Sequence, residues 1–149
     1  MSILVVGSVF VDIKGYPLEN YIPGGRNIGR VIQTHGGVCR NVVEDIANIG
    51  LHPVFFSAVD HTDTGTDILR RLQLRDVNTD YVYRAPDAMG TWLAVFDNNN
   101  DVCASISHRP NLKPLLNLLQ DKGNQLFAGA ESVLLELDLD EPVVAEIYR

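Results

Sequence analysis

Gly36-Gly37-Val38-Cys39-Arg40-Asn41-Val42-Val43-Glu44-Asp45-Ile46-Ala47-Asn48-Ile49-Gly50 is the stretch on which the reading of this chain turns. Behind the two glycines, Val38, Val42, Ile46 and Ile49 recur at helical spacing and share one face. The spacing predicts a helix over 38–49, with Gly50 as its C′ residue and with Arg40, Glu44 and Asn48 lying away from the apolar face. Glycine lets a backbone approach a ligand where a Cβ would collide. A helix N-terminus offers unpaired N–H donors at the same place. Asn41, in the first turns, points back toward that opening and can hydrogen-bond a hydroxyl. Together these residues describe a pocket for a small polyhydroxylated molecule, although a plain strand–turn–helix connection uses the same ones.

Working outward, Ile3-Leu4-Val5-Val6 is a continuous apolar run ending in Gly7, the pattern of a strand buried on both faces. A second extended stretch at 9–13 carries Asp12, and 15–29 reads as a long loop followed by a strand at 30–34. Residues 53–59 form the next buried strand, and Asp63 or Thr64 is placed to cap a helix reaching about Leu74, with Ile68, Leu69 and Leu72 inward. The middle of the chain changes character. Segments 81–84, 91–97 and 102–107 are strand candidates without helices between them, and Asn98-Asn99-Asn100 makes the last two a hairpin. In 102–107, Val102, Ala104 and Ile106 alternate with Cys103, Ser105 and Ser107, so one face is expected to be covered and one open. The β/α alternation then returns with a helix near 112–120, a buried strand at 132–137, and a helix capped by Asp140 with Glu141 and Pro142 in its first turn. Such a helix normally feeds another strand, so the end at Arg149 reads as an interruption. The expected fold class is α/β: a parallel sheet with helices, plus a small antiparallel β lid.

The chain has 149 residues, 46% of them hydrophobic and 21% charged, which suits one globular unit with a substantial core. A net charge of −7 argues against a phosphate-backbone binder, so no nucleic-acid partner is expected. Cys39 and Cys103 make neither a disulfide framework nor a metal spacing and are read as free thiols in a reducing compartment. The N-terminus lacks a basic region, its apolar run is too short for a signal peptide, and no stretch has the length of a membrane span. A cytoplasmic location with no membrane partner is expected.

Three motifs in order, Gly7-Ser8-Val9-Phe10-Val11-Asp12, then Gly36-Gly37-Val38-Cys39-Arg40-Asn41, then Ser57-Ala58-Val59-Asp60 with Gly65, resemble the N-terminal half of the ribokinase-like carbohydrate kinases, the phosphofructokinase-B family. The resemblance runs over essentially all of 1–149, and the Gly-Gly-x-x-Arg-Asn form is most similar to that of pseudouridine kinases and related nucleoside or sugar kinases. It implies phosphoryl transfer from ATP, with Mg2+, to a hydroxymethyl group of a sugar or nucleoside, and a β lid contributed by about 9–34 and 81–107. Residue by residue, Asp12 matches the carboxylate that binds sugar hydroxyls, Gly36 and Gly37 the glycines that admit the sugar, Asn41 the amide beside it, and Asp138 a further polar position on the substrate side. A carboxylate accepts from two vicinal hydroxyls at once, and charge-assisted bonds are the stronger kind.

Departures from the family pattern are Phe10 where many members have Asn, Cys39 where Gly or Ala is usual, Val43 where a small residue is usual, and the variant acidic turn Asp60-His61-Thr62-Asp63. Family members run to roughly twice this length, and their second half carries the glycine-rich anion hole, the catalytic Asp and most ATP contacts. The resemblance therefore implies that 1–149 is the N-terminal part of one domain, with no catalytic base, most of the ATP site missing, and no kinase activity alone. Ala128-Gly129-Ala130-Glu131 is only an echo of the anion-hole motif, because it leads into a strand instead of a helix.

Other candidates have plainer readings. His35 is read as a turn histidine, Asp60, His61 and Asp63 as a helix-capping turn in preference to a cation site, and Arg70, Arg71 and Arg75 as a solvated helix face. Trp92 and Phe96 share a strand face, suited to lid packing, to a homodimer contact through the lid, or to stacking on a nucleobase. A noncatalytic binding or assembly module built on half a kinase fold is the rival reading. A nicotinamide-dependent enzyme is disfavoured, since Gly24-Gly25 and Gly29 lack the dinucleotide spacing.

Overall fold

The computed structural model describes residues 3–149 and contains two four-stranded sheets. The first is all parallel, in the order β5-β4-β1-β8, from β1 (Ile3–Val6), β4 (Val54–Val59), β5 (Asn78–Arg84) and β8 (Ser132–Leu135). Alternation along β1 builds a core on each side of it. Ile3 and Val5 pack with Val43, Phe55, Ile68 and Leu72 beneath α1 (Val38–Asn48) and α2 (Asp63–Gln73). Leu4 and Val6 pack with Phe56, Leu115, Leu119 and Val143 beneath α3 (Lys113–Ala128) and α4 (Glu141–Ile147). The continuous apolar run at 3–6 is thus explained: a strand covered by helices on both faces has no polar side.

The second sheet has the order β3-β2-β6-β7, from β2 (Phe10–Pro17), β3 (Gly29–Gly36), β6 (Gly90–Phe96) and β7 (Val102–His108). Its β2–β3 and β6–β7 pairs are antiparallel, but β2 and β6 run parallel, so the lid is mixed and not antiparallel throughout. The cause lies in the first sheet. β2 continues from β1 and β6 follows β5, and those parallel strands deliver both chains to the same edge, where Gly90 N donates to Val9 O at 2.8 Å.

Several expectations need correction. Residues 81–84 belong to β5 and pair with β4 in the parallel sheet, so they are not part of the lid. The loop expected over 15–29 narrows to 18–28, because β2 extends to Pro17 and β3 begins at Gly29. All of β7 is exposed, so the expected covered face does not exist; β7 is the outer strand of the lid. α3 runs to Ala128, since the apolar stripe Leu115, Leu119, Leu126 continues through the polar 120–125 that hid it. The cap of α2 is Thr62, whose hydroxyl accepts from Gly65 N at 3.2 Å.

The face of α1 is also rotated from its expected position. Cys39, Arg40 and Val43 are the buried residues, with Ile46 and Ala47 packed beside them, whereas Val38 and Ile49 are 65% and 75% exposed. An apolar count of the sequence favours the valine stripe. What decides is the seating of the helix start at Gly37, which turns the small Cys39 toward Gly7. Gly50 takes the left-handed conformation expected of it, with φ 84°. Among the described residues, no helix is long and apolar enough to cross a membrane.

Candidate acceptor site

The chain leaves β1 toward β4 on one side and later returns to β8 on the other. The carboxyl ends of β1 and β8 therefore flank the topological switch point, where open α/β sheets place their ligands. Buried polar groups tie this edge together. Ser8 donates from its backbone N–H (2.7 Å) and its hydroxyl (2.9 Å) to Glu136 Oε2, and the fully buried Ser57 hydroxyl donates to Gly7 O at 2.6 Å.

Gly37 closes onto the same place. Its φ of 102° lies in a region that side chains resist, and a Cβ there would meet Ser8 O at 2.6 Å and Phe10 N at 3.1 Å. Gly36 adjoins Asp12: an added Cβ would lie 2.7 Å from its Cγ and 3.0 Å from Oδ2. Glycine at 36 is therefore what gives the Asp12 carboxylate its room beside the start of α1. Asp12 lies in register between Thr34 of β3 and Trp92 of β6. Lys14 Nζ stands 3.3 Å from Asp12 Oδ2, 3.4 Å from Thr34 Oγ1 and 6.0 Å from the Trp92 ring centroid. Phe10 lays its ring against Gly90.

Of the residues singled out by the motifs, Asp12, Gly36 and Gly37 are contiguous. Asn41 stands one helical turn past Gly37, exposed, with its Oδ1 accepting from Arg40 Nη1 at 3.1 Å. Asp138 follows β8 at the same edge of the sheet but is 78% exposed and pairs with Arg109 at 3.3 Å. Phe96 stacks on Tyr16 at 4.7 Å and meets Trp92 edge-on at 6.3 Å, so it serves lid packing, while Trp92 stays half-exposed in the Asp12 row.

Other groups settle into structural roles. Asp60 Oδ1 accepts from Thr62 N at 3.0 Å, which binds the acidic turn to the α2 cap. His35 sits on β3, 3.5 Å from Asp67, and burial, followed by the charges of Arg40 and Arg71, holds its pKa below the ordinary 6.5. Arg75 is not merely solvated: its Nε lies 3.0 Å from Glu44 Oε1. Burial pushes the Cys39 thiol up to about 12, helped by the charge of Glu136, so it has no nucleophilic character at neutral pH. Ala128 closes α3 and Gly129 is its C-cap, so carbonyls face out there, which is the wrong polarity for a phosphate.

Lys14 and Glu136 lie outside the motifs, and Ser8 and Arg40 stand within them with no site role expected of either. Nothing local marks Glu136, which falls inside the strand expected over 132–137. A cleft of about 720 Å³ lies away from the motif residues, lined by Tyr83, Arg84, Lys113 and Asn117, among others.

Comparison with known proteins decides the family. The pattern of the pfkB family carbohydrate kinases matches residues 1–148. The chain belongs to that family. It is 34% identical over 149 residues to a guanosine-inosine kinase of Exiguobacterium acetylicum, covering 99% of this chain and 49% of that one. It is 26% identical over 106 residues to a pseudouridine kinase of Escherichia coli (strain K12), covering 70% of this chain and 34% of the relative. A carbohydrate kinase from Agrobacterium tumefaciens superposes with a TM-score of 0.79 at 16% identity, over 98% of this chain and 48% of that one, which shows the shared fold. The chain thus spans about half the length of the first relative and a third of the second.

Proposed function

We propose that residues 1–149 are the acceptor-binding portion of a pfkB-family nucleoside kinase that transfers a phosphoryl group from ATP to a hydroxymethyl group. One observation carries the reading: the Asp12 carboxylate, with Lys14 on its Oδ2, stands beside a backbone bared at Gly36 and Gly37. A ribose diol fits this chemistry, since two hydroxyls donate to one carboxylate while the sugar ring lies on the glycines. Asn41 and Asp138 supply further polar contacts from α1 and from the turn after β8. A nucleoside is favoured over a free sugar because Trp92 stands in the Asp12 row, offering a base an aromatic face, and because the guanosine-inosine kinase aligns along the whole chain.

ATP and Mg2+ supply the phosphoryl group and its charge neutralisation in this reading, and are held by chain beyond residue 149. In this reading the glycine pair that opens α1 is taken up by the acceptor, and Ala128-Gly129, a helix C-terminus, has the wrong polarity for a phosphate. The outer strand β8 supports a continuing sheet: Val133 and Leu134 are 43% and 42% exposed on an unpaired edge. The open β7 is the natural surface for a homodimer through the lid, readable as concentration-dependent sedimentation.

Coupled ATP-turnover assays with ribose, fructose, inosine, guanosine and pseudouridine test the division of labour. The 149-residue chain should give no turnover above background, and a chain extended to the relatives' length should phosphorylate a nucleoside. Robust turnover by the short chain would overturn the fragment reading. Inactivity of the extended chain would favour the noncatalytic module.

A further inference from the structure

Arg40 was expected on the solvent side of α1 and is instead 94% buried by its 6% residual exposure, an expensive place for a permanent charge. Its partners show what it does there. Nη1 lies 2.6 Å from Glu44 Oε2 and donates at 3.1 Å to Asn41 Oδ1, while the other oxygen of Glu44 is held by Arg75 Nε at 3.0 Å. Arg75 comes from beyond the end of α2, so the chain Arg75–Glu44–Arg40–Asn41 ties one helix to the first turns of the other.

A guanidinium has five donors and no acceptor. The Asn41 atom that faces it must therefore be the amide oxygen, and the Nδ2 donors are turned the other way. We infer that Arg40 is a positioning residue that fixes the Asn41 carboxamide as a donor toward the acceptor, a role that rests on the acceptor-site reading above. Asp12 accepts and Asn41 donates, so the site offers a sugar hydroxyl one partner of each kind. An Asn41 free to turn over would present its oxygen half the time and repel nothing in exchange. Glu44 neutralises Arg40 in place, and Arg75 keeps Glu44 from swinging out. This accounts for a buried Arg preceding the Asn in Gly36-Gly37-Val38-Cys39-Arg40-Asn41.

The test uses this chain and its single tryptophan, Trp92, whose fluorescence reports on the Asp12 row as inosine is titrated. Arg40→Met, which keeps the bulk and removes the donors, should weaken inosine binding about tenfold. The double variant Arg40→Met with Asn41→Ala should bind no more weakly than Asn41→Ala alone, because Arg40 acts only through the amide. Arg40→Lys should recover part of the loss. Unchanged affinity in Arg40→Met, or losses that simply add in the double variant, would overturn the inference. A second readout needs no ligand: the Asn41 side-chain amide resonances should move in Arg40→Met and in the milder Glu44→Gln. Fixed resonances would also overturn it. If those resonances move and the wild-type chain ignores inosine and guanosine, the acceptor-site reading fails while the Arg40–Asn41 contact stands.

Discussion

Gly37→Ala is expected to destabilise the fold by about 2–4 kcal/mol, from backbone strain and overpacking together. Two effects coincide at this residue. Its φ of 102° is paired with a ψ of 128°, outside the small left-handed basin that other residues tolerate. The added methyl would also meet Ser8 O at 2.6 Å and the Val9 Cα at 3.2 Å, and both belong to backbone that cannot swing aside. Either Gly37 loses its conformation or the start of α1 lifts away from the end of β1. The second outcome separates Gly36 from Asp12, so nucleoside binding should disappear along with the stability. Urea unfolding followed by circular dichroism measures the loss. Gly24→Ala provides the control: it also has positive φ, 69°, but a Cβ there meets nothing within 4 Å, so only the conformational cost of about 1 kcal/mol should appear.

Asp12→Asn should weaken inosine binding about 30- to 100-fold and leave the unfolding midpoint nearly unchanged. The first figure follows from hydrogen bonds to a charged group, worth roughly 1.5–3 kcal/mol each when unshielded from competition. The second follows from position. Asp12 is partly exposed, and its partner Lys14 has a flexible stem that can return to water. Titration calorimetry gives the affinity, and a thermal melt of the same samples gives the stability. Equal affinity in both proteins would remove Asp12 from the site.

The order of β and α segments could be read from periodicity, because strands covered on both faces and helices with an inward stripe leave strong patterns. The glycine pair at the start of α1 could be read as a special turn as well, since Gly37 takes a φ that other residues resist and Gly36 leaves room for Asp12. Long-range pairing could not. Nothing local distinguishes Asn78–Arg84, which joins the parallel sheet, from Gly90–Phe96, which joins the lid; the choice depends on where β4 lies. The buried face of α1 was misplaced for a related reason. Arg40 counts as polar in any pattern, and only Glu44, Arg75 and Asn41 together make its burial tolerable. Glu136 was invisible in the same way, because its partner Ser8 lies at the opposite end of the chain.

A crystal structure of the chain with inosine tests the central claim most directly. The account predicts ribose hydroxyls within hydrogen-bonding distance of the Asp12 carboxylate and the Asn41 amide nitrogen, the sugar lying on Gly36 and Gly37 and the base turned toward Trp92. Inosine bound instead in the cleft between Tyr83 and Lys113, with Asp12 still facing only Lys14, would contradict it.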